Sequence, residues 1–158
     1  MPEISIIPYA PDYQPDFERL NVAWISAMFA VEEHDLEQLQ HPETHILPNQ
    51  GAIFLAKRDN EIVGTVAMVN TSDDPATATS FELAKMSVTP AAQGLGIGKL
   101  LALAAIDYAR QMGAKMVWLE SNRRAEAALI LYERVGFREV PLRPSLYTRA
   151  DVCMELHL

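Results

Sequence analysis

Seven consecutive residues, Gln93-Gly94-Leu95-Gly96-Ile97-Gly98-Lys99, carry the clearest chemical signal in the chain. Three alternating glycines stand between an apolar strand pattern (81–88) and an apolar-periodic stretch (100–112). Glycine tolerates φ > 0 and has no side chain to keep a ligand away. A helix start adds unpaired N–H groups and partial positive charge. Together they form a seat for phosphate or pyrophosphate, and two known phosphate loops test it. A P-loop requires Gly, four residues, then Gly-Lys-Ser/Thr; here Gly98-Lys99 is followed by Leu100, and Gln93 stands five before Gly98. No hydroxyl is available for magnesium. The dinucleotide fingerprint G-x-G-x-x-G fits Gly94 and Gly96, with Glu120 at a suitable distance, but Lys99 holds the third glycine position. Residues 89–93 also separate strand from loop, and no β-α unit is evident upstream. A nucleotide-dependent oxidoreductase is therefore a distant reading, tested by whether NADH competes for the loop.

The elements that must position this loop follow from periodicity. Ile4-Ser5-Ile6-Ile7 reads as a first strand, and Pro8, Pro11 and Asp12 break it and can cap a helix. Phe17, Leu20, Trp24, Ile25 and Met28 form the stripe of an amphipathic helix. A second, shorter helix is expected over 32–39 and a loop over 41–49. Strands at 52–58 and 61–70 are joined by Asp59-Asn60, a two-residue hairpin turn. Residues 71–80 are small, polar and proline-containing, and read as a mobile connection. Helix 97–112 ends at Gly113, strand 116–121 follows, helix 124–135 ends at Gly136, and Val152, Met154, Leu156 and Leu158 alternate as a last strand. The order β-α-α-β-β-β-α-β-α-β-β predicts one mixed sheet with helices on both faces.

Gln-x-x-Gly-x-Gly, with Gln93, Gly96 and Gly98 in register, resembles the coenzyme A loop of the GCN5-related N-acetyltransferase (GNAT) superfamily. The likeness spans 81–137. Residues 82–90, Glu-Leu-Ala-Lys-Met-Ser-Val-Thr-Pro, resemble the family's fourth strand, and Leu119-Glu120-Ser121-Asn122 the end of its fifth. Leu131-Tyr132-Glu133-Arg134-Val135-Gly136-Phe137 resembles the next helix and its Gly-Phe exit. Residues 4–70 agree only in the order of elements. The resemblance implies an α/β fold of the α+β type: one acetyltransferase domain over 1–158, three-layer αβα. Its single mixed, mostly antiparallel sheet has six to seven strands and is splayed between strands four and five.

The resemblance further implies an acetyl-CoA-dependent N-acetyltransferase acting on a primary amine. Amides of Gly94, Leu95, Gly96, Ile97, Gly98 and Lys99, with Gln93, would hold the diphosphate. Backbone groups of Met86 and Val88 would bond the pantetheine arm like an extra strand, with the Val88 N–H turned to the thioester oxygen. Tyr132 is the expected general acid: its reference pKa of about 10, against roughly 8.5 for a thiol, keeps it protonated until the thiolate departs. A core tyrosine beside Leu129 and Val135 is the plain alternative. Glu82, six residues before Val88, matches the catalytic glutamate of the histone-acetylating branch. It is the candidate base for an ammonium of reference pKa near 10.4. A strand glutamate paired with Lys85 is its alternative, and Ser87, Glu120 and water chains compete for the role. Asn122 either bonds the cofactor or caps the following helix. A non-catalytic acyl-CoA-binding sensor on the same fold is the competing function; it would need the loop and have no use for Tyr132.

Composition bounds these readings. With 158 residues and 49% apolar content, one domain with a full core is expected. No run approaches a membrane span, and Met1-Pro2-Glu3 does not begin a signal peptide. The single Cys153 fits a reducing cytoplasm. A net charge of −8 argues against nucleic acid and suits a cationic acceptor, whether a small molecule or a peptide amine. His34, His41 and His45 lack metal-ligand spacing, with Pro42 between them, so no metal is expected. Glu32-Glu33-His34-Asp35 is either an acidic rim for an amine or a solvated helix start. Whether Tyr147, Thr148 and Arg149 reach the acceptor is not decided by sequence. Proteins of this family often pair into homodimers, and the C-terminal strand is a candidate contact.

Overall fold

The computed structural model describes residues 3–145 and 147–158; the Met1-Pro2 start read above lies outside them. Strand β1 (Ile4–Pro8) leads through a 3-10 turn into α1 (Gln14–Met28), followed by α2 (Glu33–Gln40) and the short α3 (Pro42–His45). Strands β2 (Ala52–Arg58), β3 (Glu61–Asn70) and β4 (Ser80–Val88) come next, then α4 (Ile97–Gln111), β5 (Met116–Ser121), α5 (Glu126–Arg134), β6 (Arg138–Val140) and β7 (Val152–His157). The strands form one sheet in the order β1-β2-β3-β4-β5-β7-β6. Every pairing is antiparallel except β4 with β5. This is the expected mixed, mostly antiparallel sheet.

Two apolar clusters make it a three-layer molecule. Phe17 and Leu20 of α1, Leu39 of α2 and Ile46 pack on one face against Ile53, Leu55, Ile62 and Ala67. On the other face Ile97, Leu101 and Ala105 of α4, with Tyr132 of α5, cover Val63, Val66, Phe81, Leu83, Val117 and Leu119. At Gly64 α4 comes so near that an added Cβ would stand 2.9 Å from Leu101 Cδ1 and 3.2 Å from the Ser87 carbonyl oxygen. Gly64→Ala is therefore expected to lower unfolding free energy by about 1–3 kcal/mol, the usual cost of overpacking, as read from urea midpoints.

The splay that the site depends on lies in the middle of the sheet. Parallel pairing of β4 with β5 covers only Ser80–Met116, Phe81–Val117 and Glu82–Trp118. On its other edge β4 stays paired with β3 as far as Val88. Its register jumps from Ala67–Ala84 to Thr65–Ser87, a bulge centred on Lys85, whose φ is 52°. Bulges bend a strand and increase its twist, which carries β4 away from β5. Buried polar groups hold the bulge: Thr65 Oγ1 donates to the Lys85 carbonyl (2.7 Å), Asn21 Nδ2 to Thr65 Oγ1 (2.9 Å), and Ser87 Oγ to the Leu20 carbonyl (3.1 Å).

Several expectations need correction. The 41–49 loop contains α3, opened by Pro42 at its first position, where proline's fixed φ suits a helix start. Asp12 makes no capping bond to α1. The 71–80 connection is tied down: Ser72 Oγ accepts the Thr79 and Ser80 amides (2.8 and 3.1 Å), and Trp118 Nε1 donates to Thr71 Oγ1 (2.9 Å). Helix α5 begins two residues later than expected, for a reason that lies at Asn122.

Candidate active site

The glycine loop opens α4 as anticipated. Gly96 is its N-cap with φ 79°, Gly94 has φ 83°, and a Cβ on either would meet nothing within 4 Å. The loop's backbone is therefore open on its outer side. The first helical bond runs from the Leu100 N–H to the Gly96 carbonyl (3.1 Å), so the amides of Ile97, Gly98 and Lys99 have no intrahelical acceptor. Gly98 has a packing reason as well: its Cβ would stand 3.1 Å from Leu131 Cδ2, where α5 meets α4. Gln93 turns back to donate from Nε2 to the Val88 carbonyl (3.2 Å), joining the loop to the end of β4.

From the loop a cavity of about 670 Å³ runs along the unpaired edge of β4. Gly64 and Val88 face one another across β3 and β4, and the bond from the Thr89 N–H to the Val63 carbonyl (2.9 Å) flanks that pair. This pattern marks a non-hydrogen-bonded pair, so Val88's own N–H and C=O point away from β3. They point to the side where β5 has left. Met86, which lies in the bulge, lines the same cavity.

Of the residues expected here, Glu82, Met86, Val88, Gln93, Gly94, Gly96, Ile97, Gly98, Lys99, Asn122 and Tyr132 all line the cavity. The Leu95 side chain does not and is exposed. Tyr132 is 6% exposed, with its ring edge-on to Phe137. Burial pushes its phenol above the ordinary tyrosine value, and it stays protonated at neutral pH. Glu82 is pushed up to about 7, first by burial and then by the neighbouring Glu120 charge. Its suggested partner Lys85 is engaged elsewhere, which removes the simple ion-pair reading. Glu120 has a buried Oε2 with no hydrogen-bond partner among the described residues. Asn122 is not the helix cap: Ala125 holds that position. Its Oδ1 accepts the Arg124 N–H (2.8 Å) in a local turn that delays the helix, and its Nδ2 donates to the Arg149 carbonyl (2.7 Å).

A buried ionic hub closes the far end, and sequence reasoning did not find it. Asp35, fully buried, accepts from Lys85 Nζ (2.6 Å) and from the two terminal Arg149 guanidinium nitrogens (2.7 and 2.8 Å). Glu32 also binds Arg149 (3.0 Å). Lys85 Nζ reaches the Tyr147 hydroxyl (3.1 Å), while the Lys85 and Arg149 cations lie over the Tyr147 ring. Burial alone would raise the Asp35 pKa; hydrogen bonds from Arg149 and the Lys85 charge win, and its carboxyl sits well below the usual range. Glu32 and Asp35 are thus not a free acidic rim. Tyr147 and Arg149 do line the cavity. Cys153 is buried and does not line it.

Among the described residues no helix is long and apolar enough to cross a membrane, and no group of three or more His, Cys, Asp or Glu residues could hold a metal ion. The model of the acetyltransferase (GNAT) family matches residues 11–137. The [ribosomal protein bS18]-alanine N-acetyltransferase of Haemophilus influenzae is 33% identical over 138 residues, covering 79% of this chain and 90% of that protein. N-acetyltransferase 8F1 of Rattus norvegicus is 31% identical over 93 residues, but this chain spans only 42% of its length. Among solved structures, an acetyltransferase of the GNAT family from Staphylococcus aureus Mu50 superposes with a TM-score of 0.87 at 22% identity, covering 98% of this chain and 99% of that one. The yncA protein of Salmonella typhimurium, solved with its cofactor acetyl-CoA, gives 0.75 at 16% identity, covering 98% and 94%. At such identities the structural likeness speaks for the fold alone.

Proposed function

Because the chain belongs to the GNAT family of N-acetyltransferases, we propose that it transfers the acetyl group of acetyl-CoA directly to a primary amine of a small molecule or peptide. The observation that carries this reading is the cavity joining the glycine-loop amides to Tyr132 along the unpaired edge of β4. The loop amides from Gly94 to Lys99 seat the diphosphate, and backbone groups of Met86 and Val88 take the pantetheine arm, those of Val88 facing away from β3. The acetyl-CoA bound to the yncA protein supports the choice of donor. The whole chain, 1–158, acts as one acetyltransferase domain; β7, beyond the matched 11–137, completes the sheet at Glu120 and supports that extent. The lone Cys153, a free thiol, fits a cytoplasmic setting.

The chemistry proceeds by direct transfer. Glu82 takes a proton from the ammonium, and the freed amine attacks the thioester carbon. The Val88 N–H stabilises the oxyanion of the tetrahedral intermediate. As the C–S bond breaks, Tyr132 gives its proton to the leaving thiolate, and the proton that the attacking nitrogen sheds in becoming an amide returns to the Tyr132 oxygen through solvent. An acceptor-panel assay of thiol release with acetyl-CoA tests the reading. Turnover of an amine into its acetamide supports it; tight acetyl-CoA binding with no acceptor acetylated favours a sensor instead.

Glu82 also sets a pH dependence. A base must be unprotonated to act, so kcat/KM should fall as pH drops through about 7. The groups acting on Glu82 are Glu120, which raises its pKa, and Lys85 and Arg143, which lower it. Glu82→Gln should remove that limb and lower kcat/KM by about 10²-fold or more. An unchanged limb in the variant would assign the base elsewhere.

A further inference from the structure

The charges along the cavity are arranged unevenly. Its cations are Lys85, Arg149, Lys99 and Arg134 among the described residues. Lys85 and Arg149 are already bound by Asp35 and Glu32 in a set whose charges cancel. Lys99 belongs to the glycine loop, and Arg134 lies one helical turn beyond Leu131, the residue that meets Gly98. The end of the cavity near Tyr147 therefore keeps two carboxylates, Glu82 and Glu120, and, among the described residues, no free cation in its lining; Arg143, which acts on Glu82 from outside the lining, is paired with Glu155.

A second observation points to what they face. Among the described residues nothing donates a hydrogen bond to the buried Glu120 Oε2. A buried carboxylate oxygen left in that state is costly, and an ammonium with three N–H groups satisfies it. Tyr147 does not offer a competing cation-binding face, because Lys85 and Arg149 already lie 4.9 and 4.5 Å from its ring centre.

We propose that the acceptor is a cationic amine with no carboxylate beside its amino group, received between Glu82 and Glu120. The inference rests on the reading of this cavity as the acetyl-transfer site. A carboxylate on the carbon next to the amine would be brought close to Glu82 and Glu120, while the neighbouring cations Lys85, Arg149 and Arg143 are already paired with carboxylates of the protein. Such like-charge placement discriminates strongly in a poorly solvated site. Neutralising that carboxylate as an amide should restore acceptance, so steric bulk is not the criterion.

The test uses the full chain with acetyl-CoA, whose binding is first measured by calorimetry. Three amines, tyramine, agmatine and histamine, are then compared with tyrosine, arginine and histidine and with the three amino-acid amides. The expected result is kcat/KM at least about tenfold higher for amine and amide than for the free amino acid. Glu120→Gln should raise the amine's KM by about tenfold and narrow that ratio. Free amino acids accepted as well as their amines would overturn the inference, as would acetyl-CoA binding without turnover of any amine or amide in the set. Failure to bind acetyl-CoA would instead overturn the reading of the site itself.

Discussion

Tyr132→Phe should lower kcat by about 10²–10⁴-fold while acetyl-CoA binds as before. The substitution removes one hydroxyl and leaves the ring in place against Phe137, so the core loses little packing. Among the described residues no group accepts a hydrogen bond from that hydroxyl, so folding should be nearly indifferent to its loss. Burial holds the phenol above its ordinary pKa, which makes it a reluctant anion and keeps its proton available until a thiolate forms beside it. Steady-state kinetics and calorimetry on the same preparation separate the two effects. A kcat within twofold of wild type would return Tyr132 to the role of a core residue.

Asp35→Asn should cost about 3–5 kcal/mol of stability, the usual penalty for removing one partner of a buried ion pair. Its partner Lys85 is almost as deeply enclosed, with 4% of its side chain exposed. The lysine sits in the bulge that turns β4 away from β5, so the loss would reach the cavity as well as the core. For a chain of this length such a loss corresponds to a drop in Tm on the order of 10 °C. The sign with pH follows from the direction of the shift. Asp35 is held below its unfolded value, so its contribution is present above the normal carboxylate range and is lost as pH falls through and below it. The gap between wild type and variant should therefore begin to narrow near pH 3. Urea midpoints at neutral pH and near pH 3 measure both statements, and a variant as stable as wild type at neutral pH would show that the hub contributes nothing.

Much of the fold was legible because its signals are local. Alternation, helical stripes and the Asp59-Asn60 turn need only neighbours in sequence, and β2, β3 and β5 fall where they were expected. The loop was legible for the same reason: glycine spacing and its helix start lie within seven residues. Helix α5 was placed too early because Asn122 spends its Oδ1 on the Arg124 amide, a competition between turn and cap that composition alone does not decide. The 71–80 segment looked loose because its residues are small and polar. Those same hydroxyls and amides tie it to itself and to Trp118.

The hub was not legible, and its distances in sequence say why. Asp35 meets Lys85 across 50 positions and Arg149 across 114, and no periodicity spans such gaps. One signal was present: a lysine inside the largely apolar Leu83–Val88 run must find a partner if it is buried. Sequence shows that a partner is needed and does not say which carboxylate supplies it. Glu120 is similar. It was visible as a strand-end acid, but that its Oε2 is buried without a hydrogen-bond partner among the described residues appears only in the fold.

The most direct test of the account is a crystal structure of the protein with coenzyme A. The diphosphate should lie on the amides of Gly94 to Lys99, the pantetheine along Met86 and Val88 in the gap between β4 and β5, and the sulfur beside the Tyr132 hydroxyl. A cofactor bound with its sulfur away from Tyr132, or with its arm outside that gap, would contradict it.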